Sequence, residues 1–310
     1  MGRYKPRSRM SDAKPVVGVV VVGTGRMAPG IAAAAAGTGA RVRVVGRNTE
    51  RAKQAAARAR NTCVCAAALT AAAFKGADLV IETVIEDRRI KSALLSSIEA
   101  WIAAETIVVS NTSSLSIEDL ARSLTHPKRF AGLHFLNPAD LTPVVEVIAG
   151  PQTSRSTLKR LTSFAVRMGK TPLVVRKDTP GFIWNCLQFA LLRECLRLLD
   201  EGVADISAID AAVADGLAPR WLAAGPFGTA DLGGLDTFRR AAQKLFPALA
   251  ASGEVSPSLV RRAEDRADFY QWTDDTREAV ERLRAAQIVA HRSTAERRRR
   301  LTPPPSEWQE

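Results

Sequence analysis

Gly23-Thr24-Gly25-Arg26-Met27-Ala28 is the stretch of sequence that decides the fold. It follows an apolar run, Val16 to Val22, and opens a helical pattern, Met27 to Gly37. Gly23 permits a tight turn, Gly25 lets the backbone approach a pyrophosphate, and the third position holds a small residue. The pattern predicts a dinucleotide-binding turn with contacts at Gly23, Gly25, Arg26 and Met27. The simpler interpretation is a glycine turn that only packs a helix on a sheet.

The sequence around this turn alternates short β-branched runs with helical patterns, which is typical of βαβ units and a parallel sheet. Strands are predicted at Val16 to Val22, Arg41 to Val45, Ala77 to Glu82, Thr106 to Ser110, Ala131 to Phe135 and Val144 to Ile148. Helices are predicted at Met27 to Gly37, Thr49 to Arg60, Arg88 to Ala103 and Ile117 to Leu124. We therefore expect an α/β fold with a doubly wound sheet.

From Lys177 onward the β-branched runs stop, and amphipathic segments rich in Leu, Ala and Arg predict an all-helical C-terminal domain. Asp178-Thr179-Pro180-Gly181 offers an N-cap and a first-turn proline for a long helix that reaches about Glu201. The predicted organisation is a disordered basic N-terminus (1–15), a dinucleotide-binding domain (16–177), a helical domain (178–295) and a disordered tail (296–310).

The composition is that of an ordinary globular protein, since the 310 residues are 46% hydrophobic and 25% charged. The apolar stretches are too short to cross a bilayer and no signal peptide is evident, so we expect a cytoplasmic protein. The net charge of +12 comes without a DNA-binding motif, which disfavours nucleic acid as a partner. This charge is compatible with an anionic substrate, a cofactor phosphate or an acidic carrier protein. The four cysteines fit no zinc-site spacing, so no metal is expected.

Gly46-Arg47-Asn48 ends the second predicted strand, where a carboxylate would grip the ribose 2′-hydroxyl of NAD(H). Glycine removes the charge that would repel a 2′-phosphate, and Arg47 can pair with that phosphate. Arg47 and Asn48 are therefore candidate contacts for NADP(H). The alternative is that Arg47 is a solvated loop residue and that NAD(H) is used.

Further motifs lie beyond the fourth predicted strand. They are Ser110-Asn111-Thr112-Ser113-Ser114-Leu115-Ser116, His134-Phe135-Leu136-Asn137-Pro138, Val145-Glu146-Val147, Lys177-Asp178-Thr179-Pro180-Gly181-Phe182-Ile183-Trp184-Asn185, Gly225-Pro226-Phe227 and Gly234-Leu235-Asp236. At these residues the chain resembles the L-3-hydroxyacyl-CoA dehydrogenase family. The resemblance implies a Rossmann-type domain followed by a helical substrate domain that also makes a dimer interface. It also implies that Glu86, Lys91, Ser113 and Asn137 lie near the cofactor, and Asn111 is a further candidate contact.

Hydride transfer to a carbonyl needs a proton donor, a group that holds this donor and hydrogen bonds to the developing alkoxide. His134 ends a predicted strand, and an imidazole titrates in the required range, so we assign it as the acid/base. Glu146 on the neighbouring strand would orient the imidazole, as the family also does. Ser113 and Asn185 would bind the substrate oxygen. Each of these residues alone could be structural, but four of them in order favour catalysis.

The chain departs from the family it resembles at three places. Gly46-Arg47 replaces the usual acidic residue, a helical insertion that contacts CoA is largely missing between Thr49 and Ala77, and Ala263 to Tyr270 replaces a lysine- and glycine-containing loop. The last two changes weigh against CoA as the acyl carrier. Arg220-Trp221 resembles the gulonate dehydrogenase and lambda-crystallin branch, which acts on small 3-hydroxy acids.

The sequence thus predicts an NADP(H)-preferring oxidoreductase that interconverts 3-oxoacyl and 3-hydroxyacyl compounds, as a biosynthetic reductase. Its substrate would be carried by CoA or a carrier protein, or be a free β-keto compound. One alternative is an NAD-dependent dehydrogenase for 3-hydroxyacyl-CoA or a small 3-hydroxy acid. An alternative of another class is a non-catalytic protein that keeps the dinucleotide fold.

Overall fold

The structure is a computed structural model that describes residues 15–251 and 253–301, and for 292–301 it describes the helix alone. The chain divides into two compact units, of which the first ends at Cys186 and the second begins at Leu187. The predicted boundary at residues 177 and 178 falls a little earlier. The predicted basic N-terminus lies outside the described residues except for Pro15. The last helix continues to Leu301, past the predicted start of the tail, and the remainder of the tail lies outside the described residues.

The first unit is built on one eight-stranded sheet. Its strands are β1 Gly18–Val22, β2 Arg41–Gly46, β3 Val64–Ala68, β4 Leu79–Glu82, β5 Ile107–Ser110, β6 Phe130–Phe135, β7 Val144–Ile148 and β8 Thr171–Val175. They lie side by side in the order β3-β2-β1-β4-β5-β6-β7-β8. The reversal of strand order on either side of β1 is the signature of a doubly wound sheet, so the predicted fold class is confirmed.

The first six strands in this spatial order, from β3 to β6, run parallel to one another. Strand β7 instead pairs with β6 in the antiparallel direction. The sheet is therefore mostly parallel, and the predicted parallel pairing gives way to one antiparallel pair at this end. The connection Leu136 to Pro143 is shorter than the dozen or so residues that a parallel crossover needs, so the chain must turn back. As a result, His134 on β6 lies directly opposite Glu146 on β7.

Helices of the first unit cover this sheet. They are α1 Met27–Ala36, α2 Thr49–Arg58, α3 Arg88–Glu99, α4 Ile117–Ala121, α5 Arg155–Arg167 and the start of α6 Trp184–Asp200, with short 3-10 turns at Ala71–Phe74 and Pro127–Arg129. Two hydrophobic clusters fill the two faces of the sheet. Strands β3 and β8 and helix α5 were not predicted from the sequence, and α2, α3 and α4 end earlier than predicted.

The start of α6 differs from the prediction, which placed its N-cap at Asp178. Asp178 instead accepts hydrogen bonds from the Ser116 hydroxyl and the Glu118 amide, at the first turn of α4. Gly181 and Phe182 have φ angles of +79° and +53°, which lie outside the right-handed α-helical region. Phe182 is buried, so the chain gains apolar burial from the turn that delays the helix.

The second unit is helical, as predicted. It comprises the rest of α6, α7 Ile206–Ala211, a π-helical turn Ala212–Leu217, α8 Ala218–Gly233, α9 Leu235–Leu245, a 3-10 turn Phe246–Ala248, α10 Pro257–Glu264 and α11 Asp274–Leu301. Gly225, with φ +71°, kinks α8. Many large apolar side chains of this unit are exposed, Phe227 at 87% and Leu232 at 85% among them. None of the helices that the structure describes has the length and apolar composition that crossing a membrane requires.

Helix α5 offers a test of the packing on the sheet. Phe164 is 1% exposed, and replacing it by Ala should lower the free energy of unfolding by about 3–5 kcal/mol, because a cavity remains under the helix. Val166 on the same helix is half exposed, and Val166→Ala should change the free energy of unfolding by about 0.5 kcal/mol or less. Urea unfolding measures both. Equal effects of the two substitutions would contradict the packing described here.

Candidate active site

The glycine-rich turn follows β1 at the carboxyl edge of the parallel strands. Gly23 has φ +135°, and a Cβ there would lie 2.4 Å from the Thr83 carbonyl oxygen, so only glycine fits. Gly25 faces open space instead. Helix α1 starts at Met27, and its N-cap residue Arg26 makes no side-chain capping bond. The turn therefore leaves room and backbone donors for an anion, which fits the pyrophosphate of a dinucleotide.

The end of β2 carries the residues predicted to read the ribose. A Cβ on Gly46 would lie 2.6 Å from the Thr24 methyl carbon, so a larger residue there would force Thr24 to shift. The side chain of Arg47 is exposed. The Asn48 side chain accepts a 3.0 Å hydrogen bond from the Arg51 amide and caps α2, a structural role beside the predicted contact.

A buried ionic cluster lies where β4 ends. The carboxylate of Glu82 is fully buried and accepts bonds from the Lys91 ammonium at 2.7 Å, the Ser110 hydroxyl at 2.6 Å and the Val84 amide at 2.6 Å. Lys91 also lies 3.4 Å from Glu86. Of these residues only Lys91 and Glu86 were predicted as site residues from the sequence. A carboxylate at the end of an apolar strand, nine positions before a lysine, was the signal for Glu82.

Glu86 connects this cluster to the loop after β5. Its Oε1 accepts bonds of 2.5 to 3.3 Å from the Thr112 hydroxyl and from the amides and hydroxyls of Ser113 and Ser114. Burial of the carboxyl favours its neutral form, but these bonds and the charge of Lys91 outweigh burial and lower its pKa to about 2. Glu86 is therefore a carboxylate at neutral pH.

Asparagine side chains join the strand ends to their neighbours. Asn111 accepts a 2.8 Å bond from the Phe135 amide and donates to the Thr83 hydroxyl, which holds β4, β5 and β6 together. Asn185, in the first turn of α6, donates a 3.1 Å bond to the Ser113 carbonyl. Asn137 is exposed two residues after the end of β6. The predicted contacts Asn111, Ser113 and Asn137 thus all follow strand ends at one edge of the sheet.

His134 and Glu146 form a buried pair. His134 Nδ1 lies 2.6 Å from Glu146 Oε2, and the two side chains are 7% and 0% exposed. Glu146 Oε1 accepts 2.8 Å bonds from the amides of Ile183 and Trp184, at the start of α6. A carboxylate at this position can accept a hydrogen bond from a protonated Nδ1, an arrangement that leaves Nε2 as the nitrogen for a substrate.

The four predicted catalytic residues are bonded in two pairs, His134 with Glu146 and Asn185 with Ser113. The pairs meet at the start of α6, because Glu146 binds the amide that precedes Asn185. The arrangement can deliver a proton from a fixed imidazole next to polar groups. Within the described residues, His, Cys, Asp and Glu side chains nowhere gather in a group of three that could hold a metal ion.

The pKa of Glu86 makes stability depend on pH. This pKa is lowered from 4.5 to about 2 on folding, so its contribution is present above pH 4.5 and is lost as the pH falls through 2. The difference in free energy of unfolding between wild type and Glu86→Gln should shrink as the pH falls from 5 towards 2. Urea unfolding at several pH values measures it. A difference that stays constant across this range would refute the assignment.

Two family models match the chain. The NAD binding domain of 3-hydroxyacyl-CoA dehydrogenase matches residues 18–69 and 62–179, and the C-terminal domain of 3-hydroxyacyl-CoA dehydrogenase matches residues 181–271. Together they cover most of the first unit and the second unit as far as residue 271.

Individual relatives extend this likeness. The 5-formyl-3-hydroxy-2-methylpyridine 4-carboxylate 5-dehydrogenase of Mesorhizobium japonicum is 33% identical over 233 residues, which are 73% of this chain and 75% of that protein. The human mitochondrial hydroxyacyl-coenzyme A dehydrogenase is 43% identical over 160 residues, 52% of this chain and 50% of its own length. The chain thus matches about half the length of that curated relative.

Solved structures of dehydrogenases are also similar to this chain. The crystal structure of a 5-formyl-3-hydroxy-2-methylpyridine 4-carboxylic acid 5-dehydrogenase, described as an NAD+ dependent dismutase, aligns with a TM-score of 0.86 and 29% identity, covering 91% of this chain and 99% of that one. The (S)-3-hydroxybutyryl-CoA dehydrogenase of Ralstonia eutropha aligns with a TM-score of 0.60 and 29% identity, covering 75% and 87%.

Proposed function

The chain belongs to the 3-hydroxyacyl-CoA dehydrogenase family, and we propose that it is an NADP(H)-preferring oxidoreductase that interconverts a 3-oxoacyl and a 3-hydroxyacyl compound. The observation that carries the proposal is the buried 2.6 Å contact between His134 Nδ1 and Glu146 Oε2. It lies at the same edge of the sheet as the glycine-rich turn, where doubly wound folds bind their ligands. A preference for NADPH would suit a biosynthetic reductase.

The residues of the pair divide the proton chemistry between them. A bound dinucleotide would supply the hydride to the carbonyl carbon. His134 Nε2 gives its proton to the carbonyl oxygen as negative charge develops there, and Glu146 stabilises the imidazolium before the transfer. In the oxidative direction Nε2 takes the proton of the hydroxyl group.

Ser113 and Asn185 are proposed to bind the same oxygen. The Ser113 hydroxyl lies 3.3 Å from Glu86 Oε1. This hydrogen bond is long and weak, so replacing it by a hydrogen bond to a substrate costs little free energy. The Asn185 amide is already placed beside Ser113 by its bond to the Ser113 carbonyl. Two donors from different elements would therefore converge on the developing alkoxide, the arrangement that stabilises such charge.

The cofactor preference rests on the end of β2. Gly46 offers no carboxylate to a 2′-hydroxyl, and the Thr24 methyl group leaves little space for an acidic side chain at this position. Arg47 is exposed and can present a guanidinium to a 2′-phosphate. NAD(H) is the alternative, since one relative is described as NAD+ dependent.

Dinucleotide titration tests this preference. Arg47→Ala should weaken NADPH binding by about 10- to 100-fold, the value of a charge-assisted hydrogen bond, and leave NADH binding unchanged. Arg41, exposed at the opposite end of the same strand, provides the control, and Arg41→Ala should change neither affinity. The preference is wrong if wild type binds NADH much more tightly than NADPH and Arg47→Ala leaves NADPH affinity unaltered.

Substitution of His134 tests the chemistry. His134→Gln should lower kcat for reduction of a 3-oxoacyl thioester by about 10³-fold, the usual contribution of a general acid, while dinucleotide binding survives. His126, whose side chain is 60% exposed, serves as the control, and His126→Gln should behave like wild type. Near-normal turnover by His134→Gln would refute the assignment.

A second candidate function is dehydrogenation of a small substrate that carries no CoA. It is favoured by the structural comparison, since the TM-score is 0.86 with the 5-formyl-3-hydroxy-2-methylpyridine 4-carboxylic acid 5-dehydrogenase and 0.60 with the (S)-3-hydroxybutyryl-CoA dehydrogenase. The short connection between α2 and β3, Ala59 to Cys63, leaves no helical insertion at that point to contact a CoA nucleotide. Comparing CoA thioesters, carrier-protein thioesters and free β-keto acids in the assay above separates these candidates.

The helical unit supports a further proposal, a homodimer. Phe227, Leu232 and Phe246 are 87%, 85% and 71% exposed. Burying such side chains against a second copy would remove a large apolar area from water. The family resemblance implies a dimer interface on this domain, which supports the proposal.

A further inference from the structure

Lys91 is named by the family resemblance as a residue near the cofactor, yet its side chain is only 1% exposed. An ammonium has three protons to donate. Its nitrogen lies 2.7 Å from Glu82 Oε1, 3.3 Å from the Val84 carbonyl oxygen and 3.4 Å from Glu86 Oε2. These three acceptors all belong to the protein. Lys91 is therefore an internal counter-ion that acts through the two carboxylates.

Glu82 is the other half of this buried pair. Its Oε1 receives Lys91 and the Val84 amide, and its Oε2 receives the Ser110 hydroxyl. The same hydroxyl accepts a 3.2 Å bond from the Thr112 amide. Glu82 thus holds one end of the loop after β5, while Glu86 holds the other end through Ser113 and Ser114.

We propose that Glu82 is a positioning residue of the active site. It fixes Lys91 and Ser110, and through them it fixes Glu86 and the loop that carries Ser113. Loss of its charge leaves Lys91 without its nearest counter-ion in a buried place, so that Lys91, Glu86 and the loop must rearrange. The inference rests on the proposed function for its kinetic test and on the hydrogen bonds alone for its structural test.

Glu82→Gln is the first variant, because it keeps the shape of the side chain and removes its charge. It should lower kcat by about 100-fold, the cost of a misplaced catalytic group, with a smaller change in KM. Glu99→Gln is the matched control. Glu99 lies at the end of the same α3, accepts bonds from the Thr125 and His126 amides and pairs with Arg129, at the opposite edge of the sheet. Glu99→Gln should destabilise the protein and leave kcat and KM unchanged.

Ser110→Ala is a milder variant that keeps the proposal testable if Glu82→Gln does not fold. It removes only the hydroxyl between Glu82 and the Thr112 amide and should lower kcat by about 10-fold. Thr106→Val is its control, since the Thr106 hydroxyl is equally buried and bonds to the Ala77 carbonyl at the other end of β5. The double variant with Lys91→Met and Glu82→Gln should lower kcat by a smaller factor than the product of the factors for the two single variants, because the pair acts as one unit.

Hydrogen exchange followed by mass spectrometry gives a readout that needs no substrate. Exchange in the segments around Val84 and Thr112 to Ser114 should become faster in Glu82→Gln and stay unchanged in Glu99→Gln. Unchanged exchange in these segments, or a kcat for Glu82→Gln equal to that of Glu99→Gln, overturns the proposal. Failure of wild type to reduce any 3-oxo substrate refutes the proposed function instead, and the exchange result then decides on Glu82 alone.

Discussion

The buried carboxylate of Glu146 is the constraint on which the site depends. A charge removed from water is tolerated only where hydrogen bonds and opposite charges replace its hydration. Glu146 has these on both oxygens, since Oε2 receives His134 and Oε1 receives the amides of Ile183 and Trp184. One side chain therefore fixes the imidazole and the start of α6 together, and the antiparallel return of β7 is what places it opposite His134.

The same principle operates on the other side of the site. Glu82 and Glu86 are each surrounded by donors, and Lys91 lies between them as the shared cation. The donors come from strand ends, from the loop after β5 and from α3, elements that are far apart in sequence. Each carboxylate would lose hydrogen-bond donors in a buried position if one of these elements moved away. The cluster thus makes the loop conformation part of the folded state rather than something that a ligand must impose.

The sequence predicted the parts of the structure that follow from local patterns. The glycine-rich turn, six strands and the pairing of His134 with Glu146 needed only periodicity, glycine chemistry and a family resemblance. Strand β3 was missed because Cys and Ala carry little strand preference, and edge strand β8 because it contains Pro172. Glu82 was missed because a carboxylate at the end of an apolar strand is a weak signal on its own, and two of the donors that surround it, Lys91 and Ser110, are brought to it only by the fold.

The start of α6 shows why tertiary contacts override a correct local signal. Asp178 and Pro180 have the chemistry of a helix start, but burying Phe182 requires a turn with positive φ, which postpones the helix to Trp184. The amides exposed by this delay are capped by Glu146, a residue from β7, instead of by a neighbour in sequence. A cap supplied from a distance ties the helix that carries Asn185 to the carboxylate that holds His134. The two halves of the site therefore share one anchor, and Asn185 and His134 keep their relative placement only as long as that anchor keeps its charge and its position.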